Sequence, residues 1–416
     1  MWEMEESVEG IERIVEAQRK WRENECINLI ASENVMSKRA HAGYSSSLMH
    51  RYAEGLPRER YYQGTVHADE LEELCIKLAK KVFGCAQVDA RLISGATANM
   101  AVFSALGKQG DLLISPGTPA GAHISHEEFG CAGIAGLKVE HFVFDEKKYD
   151  VDIDATKKKI LEKKPKIVTL GGSVIPFPFP VRELSEAARE VNARVMYDGA
   201  HVLGLIAGKR FQDPLREGAE VITASTHKTF PGPQGGIVLA NMDEKTFSKI
   251  QFRVFPGLVS NHHLHRLPAL AITLLEMKQF GEEYARQTIK NAKTLARALK
   301  NKGMNVLGEE KDFTESHQVV ADVVSLGGGK KVAEALESAN IIMNKNLLAW
   351  DSVNNAQNPS GIRLGVQEMT RFGMKEKEME IIADFIMRAA EKGEVEKVKK
   401  EVVEFRKNFL DVRYCF

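Results

Sequence analysis

Apolar residues near the start of the chain recur every third or fourth position. Val8, Ile11, Ile14 and Val15 predict an amphipathic helix over residues 6–22, the main element of an N-terminal arm spanning 1–25. Leu71, Leu74, Cys75, Leu78 and Val82 mark a second helix, stopped by Gly84. From about residue 88 the period changes. Short apolar runs at 112–115, 139–144, 166–170, 194–197, 221–224 and 236–240 read as strands, with helical stretches such as 182–191 between them. These strands are rich in β-branched residues and do not alternate. That is the pattern of a strand covered on both faces, so it predicts an α/β domain over 26–270 built on a mainly parallel sheet. In such a sheet ligands collect at the carboxyl ends of the strands.

After a loop at 254–266, a long helical stretch over 267–300 leads into a smaller α+β unit assigned to 271–416. There 319–326 reads as a strand, 330–339 as a helix, and 375–391 and 392–410 as closing helices. Val395, Val398, Val402, Phe405 and Phe409 form an apolar stripe barely two heptads long, which predicts core or subunit packing rather than a coiled coil.

Composition narrows the class. The chain has 416 residues, 44% of them apolar and 27% charged, as expected of a globular protein of two or three domains. Lys+Arg and Asp+Glu are both 57, so overall charge points to neither a nucleic-acid nor a membrane partner. No apolar run approaches the roughly 20 residues that span a bilayer, and the start is acidic rather than signal-like. The five cysteines are scattered without a CxxC, which fits a reducing compartment, and a cytoplasmic protein is expected. His262, His263 and His265 cluster, but a further ligand element at standard spacing is lacking, so no metal is expected.

Candidate chemistry centres on Lys228, in Ala224-Ser225-Thr226-His227-Lys228-Thr229-Phe230, just past a predicted strand. A lysine buried at such a strand end loses its proton more readily and becomes an amine nucleophile, as an imine with an aldehyde cofactor requires. The bland alternative is a surface-loop lysine. Asp198 ends the preceding strand in Met196-Tyr197-Asp198-Gly199-Ala200-His201, where a carboxylate can hold a pyridine nitrogen protonated or simply cap a helix. Ser94-Gly95-Ala96-Thr97-Ala98-Asn99 opens a helix with small residues whose N–H groups suit a phosphate, although an ordinary capped helix looks similar. His123 and His126 read equally as stacking imidazoles or as polar loop residues. Glu54 sits in a Gly/Pro-punctuated loop over 51–64 with Tyr52, Tyr61 and Tyr62, where a carboxylate against aromatic rings can serve as general acid or base. Arg363, inside the strand-like Gly361-Ile362-Arg363-Leu364-Gly365, calls for an anion, either a substrate carboxylate or a structural Asp/Glu.

Together these stretches resemble the serine hydroxymethyltransferase family. The likeness runs from Asn28-Leu29-Ile30-Ala31-Ser32-Glu33-Asn34 through the tyrosine loop, residues 197–206, Thr226-His227-Lys228-Thr229 and residues 361–373 to Leu410-Asp411-Val412-Arg413-Tyr414. The resemblance implies a fold-type I pyridoxal-phosphate transferase with a mainly parallel seven-stranded-type sheet in a large domain and a smaller C-terminal α+β domain. It implies pyridoxal 5'-phosphate linked to Lys228, with Asp198 on the pyridinium, His123 stacked on the ring, and Ser173 and His201 at the phenolic oxygen. Gly95, Ala96 and Tyr52 would hold the phosphate, Tyr52 from a neighbouring subunit. Ser32, Tyr62 and Arg363 would bind the amino-acid carboxylate, and Glu54 would handle the proton of the serine hydroxyl. The implied reaction passes a one-carbon unit from serine to a reduced pterin, tetrahydrofolate or tetrahydromethanopterin, leaving glycine, in a homodimer or homotetramer. The competing activity is a pterin-independent aldolase for threonine-like β-hydroxy amino acids. Retention of the whole set disfavours a scaffold protein without chemistry.

Three departures from the family pattern are visible. A glycine-rich Gly-Gly-Gln-Gly-Gly is replaced by Leu258-Val259-Ser260-Asn261-His262-His263. The stretches 127–130 and 355–360 also differ, and Gln234 stands where an arginine is usual. The cofactor machinery is intact while the pterin pocket looks remodelled.

Overall fold

The computed structural model describes residues 6–146 and 148–416. A seven-stranded sheet carries the first part of the chain. Its strands, in chain order, are β1 (Gln87–Asp89), β2 (Leu112–Ser115), β3 (Lys138–His141), β4 (Ile167–Gly171), β5 (Arg194–Asp198), β6 (Val221–Ser225) and β7 (Gly236–Ala240). Across the sheet they run β1-β7-β6-β5-β4-β2-β3. All neighbours pair in parallel except β7, which is antiparallel to both β6 and β1.

The absence of alternation has a direct cause. Val168, Val195, Ile222 and Ile237 face one core, while Ile167, Met196, Val221 and Val238 face a second core on the other side. Both faces are covered, so neighbouring strand positions on opposite faces are both apolar. The expected strand over 139–144 is ordered only as Lys138–His141. Beyond it the chain forms a small hairpin of Phe144–Asp145 with Asp150–Val151. The short strand β1, with polar Gln87 and Asp89 flanking Val88, carried no strand signal, yet it pairs with β7 at the sheet edge.

A 36-residue helix, Arg266–Asn301, joins this unit to the next. Leu267, Leu270 and Leu274 lie in the first core, and Ala292, Leu295 and Leu299 in the C-terminal core. There an antiparallel sheet orders Asn305–Val306, Gln318–Asp322, Gly361–Gly365 and Asn344–Asn346. The strand expected over 319–326 ends at Asp322 and continues as a 3-10 turn, Val324–Leu326. Ile27–Asn28 pairs in parallel with Ile341–Ile342, placing Ile27 and Leu29 in the C-terminal core. Val398 and Val402 are fully buried there with Phe405 and Phe409 packed beside them, so the terminal stripe is core packing.

The first helix runs Val8–Arg19 and continues as a π-helical stretch, Lys20–Glu25. Its stripe of Val8, Ile11, Ile14 and Val15 is 58–67% exposed. Among the described residues no helix is long and apolar enough to cross a membrane.

Candidate active site

The parallel register brings three strand ends together. Asp198 closes β5, opposite Gly171 on β4 and Thr223 on β6. Ser173 follows β4 and Lys228 follows β6. Glycine is required at Gly171 (φ 82°), where a Cβ would lie 2.2 Å from the Asp198 carbonyl oxygen. At Gly95, a Cβ would lie 2.5 Å from Ser225 Oγ. This close approach sets the first turn of the helix Gly95–Leu106 against the end of β6. Ser94 caps that helix through a reciprocal box with Thr97, and the N–H groups of Gly95 and Ala96 have no intrahelical acceptor.

Asp198 is 2% exposed and fully partnered. Asn99 Nδ2 and His126 Nε2 lie 2.8 and 2.9 Å from its Oδ2, and the Ala200 N–H donates to Oδ1 at 3.0 Å. The Asn99 amide is itself oriented, because Thr223 Oγ1 donates to its Oδ1 at 2.5 Å. Burial alone would raise the carboxyl pKa. The His126 hydrogen bond and the facing imidazoles and amide outweigh it and hold the group ionised, far below the usual carboxylate range. His126 is therefore neither stacked ring nor loop decoration: it is fully buried and holds Asp198. In the sequence Asn99 stood only at the end of the helix opening Ser94–Asn99, with no role of its own.

Lys228 is 8% exposed. Burial pushes its pKa from the ordinary 10.5 down to about 8, with Asp198 opposing the shift and Arg363 adding to it. Asn34 Nδ2 donates to the Lys228 carbonyl at 2.6 Å and contacts Tyr284 Oη at 2.9 Å, a tether absent from the expected site set.

Ser32, His123, Ser173, His201, Lys228 and Arg363 line one cavity of about 400 Å³. His123 Nδ1 accepts from the Ser125 N–H at 3.1 Å, and burial lowers its pKa to about 4, so the ring is neutral at pH 7. His201 stacks on His317 with centroids 5.7 Å apart. Arg363 donates to the Ser173 carbonyl at 2.7 Å and to Asn344 Oδ1 at 3.2 Å. Burial lowers its pKa to about 10, and among the described residues no carboxylate lies within ion-pair distance of it. Of the two anions considered for it, the structural Asp/Glu is not there. Lys345, Asn346, Leu347 and Ala356 close the far side, so the altered segment near 355 borders this cavity.

Tyr52, Glu54 and Tyr62 are not brought to the cavity within one chain. Tyr52 and Tyr62 are 57% and 44% exposed and meet edge to face at 5.6 Å. The Glu54 carboxylate beside Tyr62 raises the phenol's pKa. Their loop is nevertheless firmly held. Buried Arg60 pairs with Asp69 at 2.8 Å and Glu72 at 2.6 Å and donates to the carbonyls of Ala53 and Gly55. The segment that replaces the family glycines completes the tether. Asn261 bonds Arg51 O and the Ala53 N–H, each at 3.0 Å, His262 meets Glu72 at 2.9 Å, and the Ser260 hydroxyl donates to Glu54. His263 stacks on His265, and no group of three metal-binding side chains occurs among the described residues. Gln234 is exposed. The guanidinium against Gly235 comes from Arg266, which donates to Ala90 O and Leu92 O.

A doubly covered α/β sheet with a buried lysine of lowered pKa near an ionised aspartate is the arrangement of a fold-type I pyridoxal-phosphate enzyme. The sequence comparisons agree. A family model described as serine hydroxymethyltransferase matches residues 4–386. Proteins named serine hydroxymethyltransferase are similar along nearly their whole length. One from Sulfolobus acidocaldarius is 54% identical over 412 residues, covering 99% of this chain and 95% of its own. One from Methanocaldococcus jannaschii is 55% identical, covering 96% and 94%. One from Pyrococcus furiosus is 52% identical, covering 97% and 95%. The chain belongs to the serine hydroxymethyltransferase family.

Proposed function

We propose that the protein converts serine to glycine by passing the hydroxymethyl carbon to a reduced pterin, tetrahydrofolate or tetrahydromethanopterin, with pyridoxal 5'-phosphate held on Lys228. The observation that carries this is Arg363, a buried guanidinium with no carboxylate partner among the described residues, opening into the same cavity as Lys228. The residues fit the cofactor: a low-pKa amine, a buried anion at Asp198, and a close-packed helix start at Gly95 and Ala96 that leaves N–H groups for a phosphate. When bound, pyridoxal phosphate supplies an aldehyde for amines and a ring that accepts the electron pair released at Cα.

The chain's own groups do the rest. Arg363, with Ser32, grips the amino-acid carboxylate and fixes which Cα bond is aligned for cleavage. Asp198 would hold a proton on the cofactor's pyridine nitrogen, the neutral imidazole of His123 would stack on its ring, and Ser173 and His201 would hydrogen-bond its phenolic oxygen. Lys228, with a pKa of about 8, exists partly as free amine near neutrality and is able to leave and return. Exposed Tyr52 and Tyr62 and half-buried Glu54, on a braced loop, complete the site of a second copy, Glu54 taking the proton of the serine hydroxyl. A homodimer or homotetramer follows, and the exposed stripe of the first helix fits the same assembly.

Purified protein incubated with serine or allo-threonine, with and without each pterin, tests this. Serine cleavage accelerated by one of the pterins is expected. Serine cleavage that no pterin accelerates would sink it in favour of the aldolase.

A further inference from the structure

Gln318 opens the strand Gln318–Asp322 and is fully buried beside the cavity without lining it. Two of the three hydrogen bonds of its side chain go to residues that line the cavity. The N–H of Ile175 donates to Oε1 at 2.7 Å. A backbone N–H has no acceptor role, so this contact settles which end of the amide is oxygen. The other end, Nε2, carries only donors. It lies 2.9 Å from the Ser173 carbonyl oxygen and 3.0 Å from His201 Nδ1.

The consequence falls on His201. A neutral imidazole has one N–H, and a ring nitrogen facing a donor must be the acceptor. His201 Nδ1 is therefore bare and its proton sits on Nε2. The ring is held neutral first by burial and then by the nearby charges of Lys228 and Arg363. It is also held in plane, stacked on His317 with an interplanar angle of 18°. Among the described residues no protein group hydrogen-bonds Nε2, and His201 lines the cavity beside Lys228.

We propose that Gln318 is a positioning residue that locks His201 in the Nε2–H tautomer, so that the imidazole presents a hydrogen-bond donor to an oxygen of the bound cofactor or substrate. The identity of that oxygen rests on the function proposed above; the tautomer does not. The same amide also shares the Ser173 carbonyl with Arg363, which donates to it at 2.7 Å. A bare Nε2 would instead turn a lone pair toward an anionic oxygen and repel it.

The test uses holoenzyme labelled with nitrogen-15 in its histidine rings, with the His201 signals assigned by their loss in His201→Asn. Long-range proton–nitrogen correlations are expected to show a protonated Nε2 and a bare Nδ1. Gln318→Glu replaces the donor with an acceptor against Nδ1 and is expected to move the proton there, while Gln318→Leu removes the bias and gives a mixture. In Gln318→Leu, kcat for serine cleavage is expected to fall by about tenfold with KM changed less than about twofold, the size of one lost hydrogen bond acting in the reaction rather than in binding. The visible absorbance band of the bound cofactor is expected to shift as well. A wild-type His201 carrying its proton on Nδ1 overturns the proposal without any variant having to fold. So does a folded Gln318→Leu enzyme that keeps the Nε2–H tautomer undiminished. A protein that takes up no pyridoxal phosphate defeats the proposed function instead, and its ligand-free tautomer still decides the role of Gln318.

Discussion

Lys228, Arg363 and Asp198 are each less than a tenth exposed, whereas Tyr52 and Tyr62, 57% and 44% exposed, stand on the surface with Glu54 between them in sequence. The two regions are equally rich in chemistry but are held by different means. Around Lys228, burial does the work: it lowers the amine's pKa, keeps His123 neutral and leaves a guanidinium waiting for an anion. Around Glu54 water stays close, and order comes from a buried ionic anchor, Arg60 with Asp69 and Glu72, plus the Asn261 and His262 contacts. In the function proposed above, the first region is one half of a site and the second, held by these contacts, is offered to another copy.

The largest effects should come from the buried half. Lys228→Ala is expected to lower serine cleavage by about a thousandfold or more and to abolish the borohydride-reducible link to the cofactor, measured by steady-state rates and retained absorbance. Arg363→Met should raise KM for serine by about a hundredfold, the cost of losing a buried charge partner for a carboxylate. The same substitution removes a buried charge that has no counter-ion in the ligand-free protein, so its thermal midpoint should rise by about 1–3 °C. A fall of several degrees would mean that Arg363 is structural after all.

The division between the two regions is tested by mixing inactive variants. When Lys228→Ala and Glu54→Gln chains are refolded together, half the dimers are hybrids with one wild-type site each, and about a quarter of full activity should return. No recovery would place Glu54 and Lys228 in the same chain's site. A smaller effect is expected from Asn261→Ala, which loosens the outward loop: kcat should fall by about tenfold with cofactor absorbance unchanged. The smallest concerns pH. The folded-state pKa of Lys228 lies near 8 against an ordinary 10.5, so between these values the unfolded chain binds the extra proton and stability rises with pH. Ligand-free wild type should therefore gain stability from pH 8 to 10 relative to Lys228→Met, as read by denaturant melts at each pH.

Much of this was legible in the residues. Lack of alternation at 167–170 and 221–224 foretold a sheet covered on both sides, because both Ile167 and Val168 must be apolar to face different cores. Strand direction was not legible: β7 is as apolar as its neighbours, and periodicity carries no sign for antiparallel pairing. Nor was β1, whose polar Gln87 and Asp89 are buried only because Met242 and Arg91 satisfy them. In the site, Lys228, Asp198 and Arg363 stood out because charge at a strand end or in an apolar strand is costly and demands a purpose. The residues that orient them were visible without these roles. Asn34, Asn99, His126 and Gln318 act through hydrogen bonds to residues 194, 99, 72 and 117 positions away, and nothing local in sequence records such a partner.

The central claim is that the buried amine of Lys228 carries the cofactor. Borohydride reduction of the holoenzyme, followed by digestion and mass analysis of the peptides, tests it most directly. The phosphopyridoxyl group is expected on the peptide containing Thr226-His227-Lys228-Thr229, at Lys228 alone. Its recovery on any other lysine, or on none, would contradict the account.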